Sequence, residues 1–297
     1  MASLVVDFAS TDGISLPDLD KAKAAGMRAA VPRAIYGRAY GSQSPVYKDP
    51  VWDLNKDRIK AAGLCRSTYL LLCVPRKGLI TPDPEVQIDA LCDYAPLTPP
   101  TPGGYCKDYV AFVDVEEPSD RLTPDQYYDW ILRACRHYKC RTGYMPGLYD
   151  SARVWIEYLK NHAAGELAQC YRWYAKPWPW DVRTPPHLDG APGYYPTVPK
   201  QFGDSTAWGW YQFQGDAVPM PGFPGAVDLS RPQLLKKGAT GDVVKWIQRC
   251  VGATIDGAWG PKTDDLVAAY QTKYGMTADR IVGVETMAPM SWTPFAE

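Results

Sequence analysis

The feature that most constrains the fold is an alternation of short apolar runs with helix-like segments over most of the chain. Eight runs are rich in β-branched and aromatic residues: 4–8, 28–36, 68–74, 109–116, 144–149, 170–175, 208–213 and 226–229. Strands that alternate with helices are typical of βα units around a parallel sheet, and eight such strands are enough to close a barrel. We therefore predict an α/β fold with an irregular TIM-like (β/α) barrel.

Residues 123–138 carry the clearest helix pattern between these runs. Thr123 suits the N-cap, Pro124 the first helical position and Asp125 the first turn. The apolar residues that follow fall on one helical face: Tyr127, Trp130, Ile131, Ala134 and Tyr138. By contrast, residues 176–206 are rich in Pro, Gly, Trp and Tyr without periodicity, which predicts a long ordered loop that forms a wall of a binding groove.

The run at 109–116 ends in acidic residues, within the sequence YVAFVDVEEP. Because side chains alternate along a strand, Asp114 and Glu116 project to one face, at the end of the strand where α/β folds keep their functional groups. Two neighbouring carboxyls resist ionising together, so one of them can hold a proton near neutral pH. An acid beside a carboxylate is what cleavage of a glycosidic bond requires, although the same acids would equally cap a turn at Pro118 and Ser119.

Two further runs also carry an acid near their ends. Asp7 lies near the end of SLVVDF, and Asp228 lies in GAVDLS, the last run. Closure of a barrel makes its first and last strands neighbours. We therefore expect Asp7, Asp114, Glu116 and Asp228 to converge on one pocket.

The composition narrows the range of partners. Lys and Arg number 32 against 33 Asp and Glu, so the overall charge favours neither nucleic acid nor an anionic membrane as a partner. The 20 Tyr and 11 Trp residues suit a groove that stacks on sugar rings, although most of them could equally be core. No apolar segment is long enough to span a bilayer, and no signal peptide precedes the first run. We expect a protein made in the cytoplasm.

The eight cysteines, at positions 65, 73, 92, 106, 135, 140, 170 and 250, form no CxxC pair and no cluster with histidine. We therefore expect mostly reduced, partly buried thiols, with no metal and no cofactor. A zinc amidase or peptidase is a weaker alternative, because His137, His162 and His187 show no ligand spacing. A cysteine peptidase remains an open alternative, since the fold can bring Cys and His together.

The segment after Pro232 has a different pattern, with short helices and glycine turns. Residues 242–251 are amphipathic, and Thr263 suits the N-cap of a further helix. IDGAWGPKT (255–263) recurs as ADRIVGVET (278–286) at an offset of 23 residues, which matches Asp256, Gly260 and Thr263 with Asp279, Gly283 and Thr286. The repeat predicts a separate helical unit over residues 232–297, beside a barrel of residues 1–231.

A series of motifs in the first unit resembles glycoside hydrolase family 25, the muramidases of bacteria and their phages. The motifs are VVDFAS, RAIYG, KDPVWDLN, AAGLCRSTYLLL, FVDVEEP, GLY, RWYAK and YQFQGDAVPMPGFPGAVDLSR, and they cover most of residues 1–231. The resemblance implies that Glu116 is the general acid. It also implies that Asp114 stabilises charge at the anomeric carbon or orients the acetamido group of the substrate, and that Asp7 and Asp228 are the other active-site acids.

The same resemblance implies that Tyr69, Tyr149 and Trp173 line a sugar-binding groove with Gln212 at its rim, where ordinary barrel packing is the alternative for each ring. The family commonly has Gln-Tyr where this chain has Gln212-Phe213, so one rim hydroxyl is missing. Its first motif usually has a small residue and then Ser after the Asp, whereas this chain has FAS. Retention and inversion of configuration both stay open, because they depend on the separation of the carboxyls.

The C-terminal segment resembles the helical peptidoglycan-binding domain found beside many cell-wall hydrolases, through LLKKGATGDVVKWIQ, DGAWGPKTDDLVAAYQ and DRIVGVETM. The resemblance implies a small three-helix domain, in which Trp246, Trp259 and Tyr270 are candidate wall contacts. A helical cap that only supports the barrel is the alternative.

Together the two resemblances imply a monomeric phage-type endolysin. Its barrel would be an N-acetylmuramidase that cuts the bond between N-acetylmuramic acid and N-acetylglucosamine, its tail would anchor it to peptidoglycan, and a holin pore would release it to the wall. The alternatives are a wall-anchored amidase or peptidase, a non-catalytic peptidoglycan-binding protein on a degenerate barrel, and a bacterial autolysin exported by another route.

Overall fold

Ten strands and seven α-helices form the described part of the chain. The computed structural model describes residues 3–38, 45–101, 107–151, 154, 166–175, 210–232 and 234–294, and the structural statements that follow concern these residues. The strands are β1 Leu4–Phe8, β2 Met27–Tyr36, β3 Tyr47–Lys48, β4 Cys65–Arg66, β5 Tyr69–Leu71, β6 Phe112–Val115, β7 Gly147–Ser151, β8 Tyr171–Ala175, β9 Trp210–Pro219 and β10 Ala226–Pro232. The helices are α1 Leu19–Ala24, α2 Pro50–Ala61, α3 Pro84–Tyr94, α4 Pro124–Thr142, α5 Asp242–Val251, α6 Pro261–Lys273 and α7 Val284–Met290.

The strand pairings run round a closed ring of eight strands. β1 pairs with β2 in parallel, and parallel pairing continues through β5, β6, β7, β8 and β9. β10 is antiparallel to both β9 and β1, which closes the ring. The expected α/β class is confirmed, with the sheet curled on itself. Its last strand is reversed, because β9 and β10 form a hairpin instead of a βα crossover.

Each of the eight predicted runs overlaps a strand, although most of the bounds differ. The run predicted at 109–116 is a strand only over Phe112–Val115, because the backbone before it bonds elsewhere: Val110 N donates to Ser291 Oγ at 3.2 Å. β9 continues beyond the predicted end at residue 213, because it pairs with β10 along the hairpin. The two-residue strands β3 and β4 pair with β2 and are too short to leave a periodic signal in the sequence.

The helix predicted from Thr123 is confirmed as α4. Thr123 Oγ1 accepts a hydrogen bond from Gln126 N at 3.3 Å, and Thr123 N donates to Gln126 Oε1 at 2.9 Å, which satisfies two backbone donors at the start of the helix. The helix runs past Tyr138 and ends at Gly143, whose φ of 83° is favourable for glycine. The whole of the predicted loop, 176–206, lies outside the described residues.

Aromatic side chains fill the barrel interior below a pocket at the carboxyl ends of the parallel strands. The Phe112 ring lies 4.9 Å from Trp210 and 5.1 Å from Trp173, measured between centroids. Gly147 is the in-register neighbour of Phe112 on β7, and a Cβ there would lie 2.4 Å from the Phe112 ring. Glycine at this position therefore makes room for the ring that supports the floor of the pocket.

The three C-terminal helices are built from a duplicated hydrogen-bond arrangement. The Gln248 side-chain amide donates to Asp256 Oδ1 at 2.7 Å and to Thr263 Oγ1 at 3.2 Å, and Gln271 makes the same contacts 23 residues later, to Asp279 at 2.8 Å and Thr286 at 3.1 Å. Thr263 is thus an internal acceptor in α6, not the N-cap that we predicted. The N-cap position belongs to Gly260.

These helices pack against the amino ends of the barrel strands. The Tyr109 hydroxyl, just before β6, donates to a carbonyl oxygen of α7, and Trp292 Nε1 donates to the Asp108 carbonyl oxygen at 2.9 Å. The rings of Tyr171 and Trp246 lie 5.7 Å apart between centroids. The barrel and the helical segment therefore share one hydrophobic core at this end.

Among the described residues, every helix is too short or too polar to cross a lipid bilayer. Seven of the eight cysteines are described, and all seven are free thiols.

Candidate active site

The structure brings the four predicted acids to one pocket at the carboxyl ends of the parallel strands. Asp7 on β1 pairs in register with Asp228 on β10, so the two strands that close the ring each bring an acid to the same level. Asp114 lies near the end of β6, and Glu116 follows the last residue of that strand. The pocket is lined by Asp7, Tyr69, Asp114, Glu116, Tyr149, Trp173 and Asp228, and it contains about 280 Å³ of space that opens to solvent.

Strand register explains why the rings lie beside the acids. Asp114 on β6 is aligned with Tyr149 on β7, which is aligned with Trp173 on β8. In-register residues of parallel strands point to the same face of a sheet, so these three side chains form one layer around the inside of the barrel.

The four acids differ in their exposure to solvent. Asp7 is 8% exposed and Asp114 is 6% exposed, and one carboxyl oxygen of each is buried without a protein hydrogen bond. Asp228 is intermediate, while Glu116 is exposed. Glu116 therefore lies at the mouth of the pocket, and Asp7 and Asp114 form its floor.

Burial raises the pKa of both floor acids well above the usual value for aspartate. For Asp7 the charges of Asp228 and Glu116 add to the effect of burial. For Asp114 the charges of Glu116 and Asp7 add to it, while the Arg33 guanidinium opposes it. The floor acids consequently retain protons at pH values where an exposed aspartate is ionised, and a protonated carboxyl can donate a hydrogen bond to a ligand.

Arg33 is a functional candidate that our reading of the sequence missed. It lies on β2 next to Tyr69 in the sheet, and its Nε donates to Asp49 Oδ2 at 2.9 Å, with Asp49 fully buried. Asp49 is also the N-cap of α2, where it accepts from Val51 N at 3.1 Å. The signal was present, because an arginine inside an apolar strand needs a buried partner. It supplies the positive charge that opposes the pKa elevation of Asp114.

Two further side chains hold the aromatic rings of the pocket. Gln212 was predicted to contact the sugar, but it lies behind Tyr149 and its Oε1 accepts a hydrogen bond from the Tyr149 hydroxyl. Trp173 Nε1 donates to Ser230 Oγ at 2.9 Å. Ser230 was also missed, although it lies two residues after Asp228 on the same strand and therefore on the same face. Gln212 and Ser230 thus orient the rings that line the pocket.

The three residues of the C-terminal segment that were predicted to contact the bacterial cell wall differ in their exposure to solvent. Trp246 is fully buried at the contact with the barrel. Trp259 is buried as well, and its Nε1 donates to Asp264 Oδ1 at 3.2 Å. Tyr270 is partly exposed and lies 4.7 Å from the Tyr274 ring. Of the three, only Tyr270 presents part of its ring to solvent.

The structure describes one of the three histidines and seven of the eight cysteines on which the rival enzymes would depend. His137 contacts Asp89 at 2.8 Å on the outer surface, between α3 and α4, and His162 and His187 lie outside the described ranges. In the ranges that the structure covers, no three His, Cys, Asp or Glu side chains are arranged so that they could hold a metal ion. Burial raises the pKa of Cys73 to about 12 and that of Cys92 to about 11, whereas a nucleophilic cysteine needs a lowered pKa.

Comparison with known proteins yields matches among solved structures. A bacterial lysozyme from Streptomyces coelicolor matches with a TM-score of 0.58 and 21% identity, over 78% of this chain and 93% of that one. A family GH25 lysozyme from Aspergillus fumigatus matches with a TM-score of 0.54 and 19% identity, over 77% and 94%. The catalytic domain of an endolysin from a Listeria monocytogenes bacteriophage matches with a TM-score of 0.52 and 16% identity, over 78% and 94%.

No protein-family model matches the chain, and no curated protein does. At these levels of identity the structural matches establish the fold and leave the chemistry to be argued from the site. The fold that the motif series implied is confirmed: over most of its length, this chain has the fold of the family 25 lysozymes.

Proposed function

We propose that the chain is a glycoside hydrolase that degrades bacterial peptidoglycan as an N-acetylmuramidase. The observation that carries the proposal is the convergence of Asp7, Asp114, Glu116 and Asp228 on one pocket with aromatic walls. Glycosidic cleavage needs a carboxyl group that protonates the leaving oxygen and a second group that assists at the anomeric carbon. Four carboxyls in one pocket supply both, and neither a metal nor a cofactor is needed.

In this proposal Glu116 is the general acid, because it is the exposed member of the set and the leaving oxygen can reach it. The raised pKa of Asp114 supports a role in orienting the substrate, since a protonated carboxyl can donate a hydrogen bond to the oxygen of an acetamido group. Tyr149 and Trp173 offer flat apolar faces to the sugar ring. Asp228, the in-register neighbour of Asp7, is the less buried of the two and stabilises positive charge on the sugar when it is ionised.

The first experiment compares wild type with Glu116→Gln on purified peptidoglycan, with the products analysed by mass spectrometry. We expect new reducing sugar ends from wild type and a loss of activity of at least about 100-fold in the variant, because amide cannot protonate the leaving oxygen. The matched control is Glu285→Gln, which removes an exposed carboxyl at the other end of the barrel and should clear wall suspensions as wild type does.

The outcomes separate the alternatives. New amino groups in place of reducing ends would indicate an amidase or peptidase, and near-normal clearing by Glu116→Gln would remove that residue from the acid role. Retention on the wall without soluble fragments would indicate a binding protein on a degenerate barrel.

We also propose that the C-terminal helices bind peptidoglycan, and that the protein is a phage endolysin that reaches the wall through a holin pore. The duplicated arrangement around Gln248 and Gln271 supports a helical domain of its own type, and Tyr270 with Tyr274 offers a partly exposed aromatic pair for the ligand. A pull-down of Tyr270→Ala with purified wall should show weaker retention than wild type. Unchanged retention would place the contact elsewhere.

A further inference from the structure

Glu117 follows the proposed general acid and faces away from the pocket. Side chains alternate at the end of a strand, so Glu116 projects into the pocket and Glu117 projects between β2 and α4. The Glu117 side chain is only 15% exposed, and it forms an ion pair with Arg38, whose side chain is 9% exposed. A charged pair this well buried needs a structural reason, because desolvation of both groups costs free energy.

Three parts of the barrel hold Glu117 in place. The Tyr36 hydroxyl, at the end of β2, donates to Glu117 Oε1 at 3.4 Å. The Tyr127 hydroxyl, on α4, donates to the Glu117 carbonyl oxygen at 2.7 Å. Arg38 Nη2, besides its bond to Glu117, donates to the Val74 carbonyl oxygen beyond β5 at 3.5 Å. Residue 117 is therefore fixed through both its side chain and its backbone.

The position of Glu116 depends on this attachment. The sheet ends at Val115, so the backbone of Glu116 is no longer part of a strand. General acid catalysis requires the proton of Glu116 within hydrogen-bond distance of the leaving oxygen, so the backbone that carries this side chain has to be held in place. With Val115 held in the sheet on one side and Glu117 held on the other, the backbone between them has little freedom.

We propose that the Glu117–Arg38 ion pair, together with Tyr127, positions Glu116 for proton transfer without touching the substrate. This inference rests on the proposed hydrolase function and adds residues to it that lie outside the pocket. On the pocket side, Glu116 faces Asp7, Asp114 and Asp228. The charge of Arg33 also acts on this side, because it lowers the pKa of Asp114. On the other side, Glu117 faces Arg38, Tyr36 and the Cys73 thiol, whose pKa burial raises to about 12, so that Arg38 is the charged partner there.

The chain contains a matched control for this ion pair. Asp108, just before β6, is paired with Arg66 by two hydrogen bonds of 2.9 and 2.7 Å, and both side chains are nearly as buried as those of the first pair. Asp108→Asn and Glu117→Gln thus each break an arginine–carboxylate pair attached to the same strand, at opposite ends. Both variants should unfold at a lower temperature than wild type.

Only Glu117→Gln should also impair turnover of soluble peptidoglycan fragments. We expect its kcat to fall by about 10- to 100-fold with KM little changed, because misplacing a reacting group by about an ångström has an effect of this size. Asp108→Asn should keep the wild-type kcat. Tyr127→Phe, which removes a backbone contact of Glu117 without changing any charge, should lower kcat in the same direction and serves if Glu117→Gln does not fold.

The pH dependence of kcat provides a signature that loss of stability alone does not produce. Glu117→Gln leaves the Arg38 cation unpaired near Glu116, which should shift the alkaline limb of the profile to lower pH. Arg38→Met leaves the Glu117 anion unpaired and should shift it to higher pH, with each shift on the order of half a pH unit. Tyr127→Phe should leave the limb in place.

The possible results are distinct. If wild type releases no reducing ends, the hydrolase function fails and this inference fails with it. If wild type is active but Glu117→Gln and Tyr127→Phe both keep its kcat, or lose no more than Asp108→Asn does, the positioning role alone is wrong. Shifts of the pH profile in the same direction for Glu117→Gln and Arg38→Met would also contradict it.

Discussion

The two ends of the barrel differ in how their polar groups are partnered. At the carboxyl ends of the strands, four acids surround one pocket, and burial with mutual repulsion raises the pKa of Asp7 and Asp114. At the amino ends, the polar groups are paired: Trp292 donates to the Asp108 carbonyl oxygen, and Val110 N donates to Ser291. At the pocket end, the clustered acids lower the stability of the fold. At the other end, the polar groups are hydrogen-bonded and closely packed, which offsets that loss of stability.

This difference teaches where each kind of mutation acts. Substitutions that relieve repulsion at the pocket should stabilise the protein and reduce its activity. Substitutions at the contact with the C-terminal helices should destabilise it and leave the chemistry of the folded enzyme intact. Mutations at each end of the barrel test this contrast.

The largest effect is expected from Asp114→Asn. We expect kcat on peptidoglycan to fall by about 100- to 1,000-fold, because an amide can still donate a hydrogen bond but cannot take on the negative charge that stabilises a cationic sugar in the transition state. At pH 7 the variant should nevertheless unfold at a higher temperature than wild type, because wild type on folding must either protonate Asp114 or bury its charge next to Glu116 and Asp7, and an amide avoids both costs.

The sign of the pH dependence follows from the raised pKa of Asp114. In the unfolded chain an aspartate loses its proton near pH 4, whereas the folded protein retains it to higher pH, so the wild-type protein loses stability as the pH rises through this interval. The difference in melting temperature between Asp114→Asn and wild type should therefore vanish below about pH 4 and grow as the pH rises. A variant that melts below wild type at pH 8 would contradict this account.

The next largest effect should come from the other end of the barrel, through Trp292→Ala. Trp292 is buried, packs edge-on against Tyr144 with centroids 5.2 Å apart and donates a hydrogen bond to Asp108. Loss of a buried tryptophan typically costs about 3 to 5 kcal/mol of unfolding free energy. Denaturant unfolding should show this loss, while kcat measured well below the melting temperature stays at the wild-type value. A matching loss of kcat would mean that the two ends are coupled.

The sequence was sufficient for the parts of the molecule that local rules determine. The eight apolar runs, the capped start of α4 and the convergence of Asp7 with Asp228 all follow from strand periodicity, capping chemistry and ring closure. The reversal of β10 did not follow, because the pattern of a strand does not encode its direction. The strand expected at 109–116 was too long, because Tyr109 and Val110 form hydrogen bonds to the C-terminal segment, which the local pattern does not reveal.

Partners distant in the chain account for the remaining differences. Gln212 looked like a rim residue, and only the fold shows that its side chain accepts from Tyr149. Trp246 looked like a wall contact, yet it packs on Tyr171, since an aromatic residue in an amphipathic helix does not reveal which surface covers it. By contrast, Gln271 lies 23 residues after Gln248, so a longer alignment of the two repeats would have found the residues around which both are built.

A smaller effect is expected from Tyr109→Phe, which removes a single hydroxyl from the same contact. The hydroxyl is buried and donates to the Val284 carbonyl oxygen, so the variant leaves that acceptor without its partner. Such a loss costs about 1 to 3 kcal/mol. The unfolding free energy should fall by this amount, less than for Trp292→Ala, and activity should again be unchanged. No measurable destabilisation would mean that water satisfies the carbonyl and that this end is less tightly packed than the contacts indicate.

The smallest effect should come from Glu285→Gln, which also borders the contact but at its exposed edge. Glu285 pairs with Lys107 at 3.1 Å, and their side chains are 47% and 27% exposed. Solvent screens exposed pairs, so their typical contribution is about 0 to 1 kcal/mol. We expect a change in unfolding free energy near the lower limit and a further reduction of that change in high salt. If this variant is instead as destabilised as Tyr109→Phe, charge rather than buried packing holds the helices to the barrel, and the contrast between the two ends has to be drawn differently.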